Sequence, residues 1–195
     1  MRLLEREDSV LLVIDAQERF YGPDRADVDR ESLHLSFERA GWLTAAAGAL
    51  CVPVLVTEEA ADQNGPTDVR VARHLPGGTP VLDKRYFGAP DNPEIMAALD
   101  DTARGTVVIV GLETDVCVAH TALLLLDRGR RVAVAEDCLF SPGEAHDAGL
   151  RRLRDGGVEM LTAKMVFYDW VRGLSELDAA CRTSETVRRP PGFHL

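Results

Sequence analysis

The chain predicts a three-layer α/β/α fold, a Rossmann-like six-stranded parallel sheet with helices on both faces. Three features carry this. Short runs of Val, Ile and Leu recur without polar alternation, as strands buried on both faces require. Between them lie longer stretches of helical periodicity, so strand and helix alternate along the chain. Gly and Pro fall at the joints.

Each element follows in order. Residues 10–14, Val-Leu-Leu-Val-Ile, form the first strand. Residues 28–50 read as a long helix that ends before Pro53. Residues 54–56 are the second strand, and 67–74 a short helix or turn closed by Pro76-Gly77-Gly78. Residues 80–82 give a brief third strand, and 93–99 a helix with Pro93 in its first turn. Residues 106–110 are the fourth strand, followed by a helix over 115–128 that Gly129 stops. Residues 131–135 are the fifth strand. Ser141-Pro142-Gly143-Glu144 reads as a cap for a helix through Leu153, and 158–161 is the sixth strand. The whole chain, 1–195, is expected to be one domain, with 183–195 an irregular, extended C-terminal arm.

Composition excludes several classes. Hydrophobic residues make up 46%, too many for a disordered chain. The formal net charge of −10 argues against nucleic acid and anionic membranes as partners. No apolar stretch approaches a bilayer-spanning length, and the charged residues 2–8 are unlike a signal peptide. The four cysteines, Cys51, Cys117, Cys138 and Cys181, are widely spaced and include no Cys-x-x-Cys pair. A reduced, cytoplasmic protein is expected, without a zinc site or disulfide framework. Cys51 and Cys138 read as inert small apolar residues.

Cys117 is different, because it stands where a buried strand turns into a helix. The free N–H groups and positive dipole at a helix start favour a thiolate, the nucleophilic form. Ligands in open α/β sheets bind beyond the carboxyl ends of the strands. Asp15 lies at the end of strand one, Lys84 just past strand three and Cys117 just past strand four. A carboxylate, an ammonium and a thiol on one rim make a catalytic group: the carboxylate takes the thiol proton and the ammonium supports both anions.

These residues carry a resemblance. Asp15-Ala16-Gln17-Glu18-Arg19-Phe20 after an apolar strand, Lys84 before an aromatic pair, and Glu113-Thr114-Asp115-Val116-Cys117-Val118 followed by Thr121-Ala122 resemble the isochorismatase-like cysteine hydrolase family. The similarity runs from about Ser9 to Leu161. It is greatest to the poorly characterised isochorismatase-domain hydrolases. The resemblance implies an Asp15–Lys84–Cys117 triad and a cis peptide at Leu112–Glu113. That bond would aim the Glu113 N–H into the pocket beside the Cys117 N–H, giving two oxyanion donors.

The resemblance further implies a hydrolase of a small amide-like substrate. Cys117 attacks, Asp15 protonates the leaving amine, and a water activated by Asp15 hydrolyses the thioester. Nicotinamidases of this family hold a metal on Asp-x-His after the second strand. Residues 57–65 contain no histidine and the nearest is His74, so no metal and no other cofactor is expected. Rival readings are a vinyl-ether hydrolase of isochorismatase type, which needs no cysteine, and a catalytically silent binding or scaffold member.

Other residues have two readings each. Phe20 and Phe87 either line the pocket or belong to the core. Glu58 and Glu59, at the rim after strand two, either meet a polar substrate group or are solvated; Glu58, with Phe20 and Phe87, is assigned to the substrate pocket. His120 reads as a packing residue and His146 as a structural hydrogen-bond partner. The apolar segment 165–171 either packs on the sheet or forms a subunit contact in a homo-oligomer, a dimer or tetramer as the resemblance suggests.

Overall fold

A computed structural model of the chain describes residues 2–195. Its sheet is six-stranded and parallel throughout, in the order β3-β2-β1-β4-β5-β6. The strands are β1 Ser9–Ile14, β2 Val54–Glu59, β3 Val81–Lys84, β4 Thr106–Leu112, β5 Arg131–Phe140 and β6 Glu159–Leu161. The helices are α1 Arg30–Ala49, α2 Ala61–Asn64, α3 Val69–Ala72, α4 Pro93–Asp101, α5 Ala119–Asp127, α6 Ala145–Asp155, α7 Ala163–Val171 and α8 Leu174–Thr183. Among the described residues no helix is long and apolar enough to cross a membrane.

The apolar runs divide by parity. Leu11 and Val13 of β1, with Val108, Val110 and Leu112 of β4, enter one core with Phe37 and Trp42 of α1 and Phe167 and Trp170 of α7. Val10, Leu12 and Ile14, with Val107 and Ile109, enter the other with Ile95 of α4, Leu125 of α5 and Leu153 of α6. Successive strand residues face opposite ways, so an unbroken apolar run is what two covered faces demand.

β1 is the switch point. The chain builds outward through β2 and β3, then returns to place β4 on the other side of β1. A crevice opens at the carboxyl ends of strands where the order reverses in this way. The close β1–β4 contact depends on Gly111, whose φ is +119°. A Cβ there would collide with the Ile14 carbonyl.

Several elements differ from expectation. β2 runs to Glu59 and β3 to Lys84, because the two strands pair in register up to Glu59 opposite Lys84. β5 continues to Phe140 across a register shift between Ile109 and Gly111, which carries the polar Glu136-Asp137 pair without ending the strand. The Ser141 hydroxyl caps no helix; it donates to Asp115 at 2.6 Å. Cys138 is buried as expected, but Cys51 is exposed in the turn after α1.

The C-terminal arm begins beyond α8, and it is docked in turns where an extended segment was expected. Val187 is fully buried, its carbonyl accepts the Trp42 indole N–H at 3.1 Å, and the Phe193 ring meets Trp42 edge-on at 5.0 Å. The reason is apolar: Val187, Phe193 and Leu195 complete the core around α1.

Two substitutions test this backbone. Ala103 is exposed and left-handed (φ 54°) just past α4. Ala103→Gly is expected to stabilise by up to about 1 kcal/mol in urea denaturation, since glycine carries no Cβ penalty there. Gly111→Ala is expected to destabilise by more than about 3 kcal/mol, or to prevent folding, because positive φ and a backbone clash add.

Candidate active site

The carboxyl ends of β1, β2 and β3 and the turn after β4 bring Asp15, Glu59, Lys84 and Cys117 together. Asp15 follows β1 directly and is left-handed (φ 44°), an arrangement that costs about 1–3 kcal/mol and clusters at functional sites. Its N–H donates to the Thr57 carbonyl at 3.0 Å, and its Oδ1 accepts the Thr57 hydroxyl at 2.8 Å. Oδ2 lies 2.7 Å from the Lys84 ammonium. Both side chains are wholly buried.

Lys84 is the hub. Besides Asp15, its Nζ donates to the Tyr86 carbonyl at 2.9 Å and to Glu59 Oε2 at 3.2 Å, and reaches the Cys117 sulfur at 3.5 Å. Burial alone would push the lysine pKa down; the Asp15 carboxylate, with Glu59 beside it, more than offsets this, so it stands above its ordinary value. Asp15 shifts upward because burial outweighs the nearby ammonium.

Cys117 sits in a π-helical turn, Thr114–Val118, ahead of α5. The turn closes on the Glu113 carbonyl, which accepts the Val118 N–H at 3.0 Å and the Val116 N–H at 3.3 Å. α6 braces it from outside. Gly149 presses so close that a Cβ would meet the Asp115 backbone, and Thr114 Oγ1 pairs with His146 Nδ1 at 2.9 Å. His146 thus makes the structural contact expected of it.

Three expectations change here. The Leu112–Glu113 bond is trans, as are all peptide bonds among the described residues. For a non-proline bond trans is favoured by about 3 kcal/mol. The thiol is not acidified either. Burial, and after it the Asp15 carboxylate, raise the Cys117 pKa well above the ordinary thiol range, so the resting form is S–H. That thiol donates to Glu59 Oε2 at 3.1 Å. Finally, Glu58 turns away from the cluster: its Oε1 accepts from the Thr67 N–H at 2.6 Å and the Thr67 hydroxyl at 2.7 Å. Neighbouring strand residues face opposite sides, so Thr57 and Glu59 share the site face and Glu58 does not.

Glu59, and not the Glu58 expected in the pocket, is the carboxylate that reaches the cluster. Its side chain is 21% exposed, against none for Asp15. Gln17 holds it in place: the buried amide accepts the Glu59 N–H at 2.7 Å and donates to the Glu59 carbonyl at 3.2 Å and the Gly65 carbonyl at 2.5 Å. The usable signal was the alternation Thr57-Glu58-Glu59, legible only with β2 extended to its end.

The aromatics separate. Phe20 packs on the core beside Tyr21, whose hydroxyl donates to Glu113 Oε1 at 3.1 Å. Phe87 is exposed at the rim, edge-on to His120 at 6.1 Å. Asp15, Glu59 and Cys117 hold potential metal-ligating atoms within 4.8 Å of one another. Lys84 Nζ already bridges those side chains, and its charge stands where a cation would have to sit.

The comparisons with known proteins agree with this fold. The family model described as "Isochorismatase domain" matches residues 9–165. Isochorismatase domain-containing protein 2B of Mus musculus is 30% identical over 168 residues, covering 85% of this chain and 75% of that protein. Among solved structures, the MAR1 ribonuclease from Caenorhabditis elegans has a TM-score of 0.83 at 24% identity, covering 100% of this chain and 98% of that one. The YcaC gene product from Escherichia coli, described as an octameric hydrolase of unknown specificity, has a TM-score of 0.81 at 22% identity, covering 94% and 91%.

Two outcomes test the electrostatics. Alkylation of Cys117 by iodoacetamide, followed by peptide mass spectrometry, is expected to climb between about pH 7 and pH 10 without the plateau of an ordinary thiol. Lys84→Met leaves Asp15 buried without its cation and is expected to cost about 3–5 kcal/mol at neutral pH. The sign of its pH dependence follows from burial. A carboxyl whose folded pKa lies above the unfolded value keeps full stability below the unfolded pKa and loses it as pH rises through the folded one. The deficit of Lys84→Met should therefore shrink as urea titrations move down towards about pH 4.

Proposed function

The chain belongs to the isochorismatase family, and on that footing we propose that it is a metal-independent cysteine hydrolase of a small amide-like substrate, acting through a Cys117 thioester. The observation that carries this reading is the sulfur in contact with Lys84 and Glu59, with an Asp15 oxygen within 4.8 Å.

As the sulfur attacks the carbonyl carbon, Asp15 takes the thiol proton. Its raised pKa suits the task, because burial makes it a stronger base towards the thiol proton than an ordinary carboxylate. The oxyanion rests on the Cys117 backbone N–H of the turn; with the Leu112–Glu113 bond trans, the second donor expected from Glu113 has no basis. Asp15 then protonates the leaving amine, the C–N bond breaks, and water hydrolyses the thioester. Phe87, exposed and edge-on to His120, would offer a surface on which an apolar substituent could pack.

A vinyl-ether hydrolase has no use for a thiol, whereas here the thiol sits at the centre of the ionic cluster. That placement also supports catalysis over a silent binding role. The ribonuclease activity named for the nematode protein finds little support here, since a net charge of −10 opposes a phosphate backbone. A cytoplasmic location fits a reduced thiol nucleophile.

A homo-oligomer, dimer or tetramer, is part of the proposal. Val166, Phe167, Trp170 and Val171 are spent on the chain's own core, while Leu3, Met165 and Tyr168 remain exposed together on the outer side of α7.

Screening small amides, carbamoyl compounds and nitriles for ammonia release is expected to find a substrate. Cys117→Ala should then abolish turnover with an unchanged circular dichroism spectrum. Undiminished turnover in that variant would refute the scheme.

A further inference from the structure

The cluster holds two carboxylates where the scheme above uses one, and they differ in access. Asp15 is wholly buried, with Oδ1 on Thr57 and Oδ2 on Lys84. A water arriving for the second half-reaction finds no open lone pair facing solvent on it. Glu59 is part-exposed, and its Oε2 touches both the sulfur and the ammonium. Its Oε1 has no hydrogen-bond partner among the described residues. Gln17 and Asn64 pin its main chain, so the carboxylate is held at the mouth of the site.

We propose that Glu59 is a fourth catalytic residue, the general base that activates water for hydrolysis of the Cys117 thioester, while Asp15 serves acylation. This rests on the hydrolase reading above. Water binds Glu59 Oε1 and its oxygen attacks the thioester carbon as Glu59 takes one of its protons. The tetrahedral intermediate collapses, the C–S bond breaks and the electron pair returns to sulfur. The Glu59 carboxyl then gives the proton to that sulfur. The product acid leaves carrying the other water proton, which it releases to solvent on ionising. The resting S–H to Oε2 hydrogen bond of 3.1 Å is the arrangement this last transfer leaves behind. Lys84 lies within ion-pair distance of both carboxylates, 2.7 Å from Asp15 and 3.2 Å from Glu59, and so fixes the two relative to each other.

The test uses 4-nitrophenyl acetate, whose leaving group needs no protonation, with intact-protein and peptide mass spectrometry. Wild type is expected to turn over steadily. Glu59→Gln, which keeps an oxygen for Lys84 and the thiol, is expected to release one equivalent of 4-nitrophenolate and then stall. Its acetyl group should remain on Cys117, with deacylation slowed about a hundredfold or more. Hydroxylamine, a nucleophile that needs no base, should release that acetyl group. Glu59→Asp should recover part of the deacylation rate. Asp15→Asn should lose the initial burst itself.

Deacylation of Glu59→Gln at the wild-type rate overturns the proposal. So does loss of its burst, which would make Glu59 the base for the thiol. So does acyl-enzyme building up in Asp15→Asn and not in Glu59→Gln. If wild type itself is never acetylated at Cys117, the hydrolase reading fails and this inference fails with it.

Discussion

A lysine with no exposed surface, seated against an equally buried aspartate, is the constraint around which this molecule is arranged. Desolvating two charges costs several kcal/mol per ion and is tolerated only with near-complete coordination. Lys84 meets that condition with contacts to Asp15, Glu59, the Tyr86 carbonyl and the Cys117 sulfur. These groups come from the ends of three strands and the turn after a fourth. The sheet must close correctly before the ammonium has its partners, so the charge cluster and the topology depend on each other.

The backbone supporting this arrangement is strained where it must be and relaxed elsewhere. Asp15 occupies a left-handed conformation that turns its carboxylate under the rim. Gly111 lets β4 approach β1, and Gly149 lets α6 press on the turn that carries the sulfur. Gln17 ties the end of β2 to the loop after β1. Two well-filled cores, one on each face of the sheet, hold these positions against the strain.

The chemistry follows from burial more than from helix polarity. A helix start lowers a thiol pKa only when the sulfur meets its field with little competing desolvation. Here burial and an adjacent carboxylate dominate, so sulfur rests protonated and must be relieved of its proton as it attacks. Such a site needs a base within reach at every stage, and it has two carboxylates of unequal exposure to supply one.

Most of the fold was legible in the chain. Unbroken Val, Ile and Leu runs state that both faces of a sheet are covered, because strand parity sends neighbours to opposite sides. The positions of Asp15, Lys84 and Cys117 just past such runs placed them on one rim, by the general rule for parallel sheets. What the chain did not disclose was decided by register and packing. Glu59 rather than Glu58 faces the sulfur because β2 pairs with β3 up to Lys84, and that pairing is a contact between strands. The docked arm, the bulge that lengthens β5 and the protonated thiol likewise depend on groups distant in sequence. Local sequence determines periodicity and turn chemistry; which side chain is desolvated, and beside which charge, is settled only when the layers close.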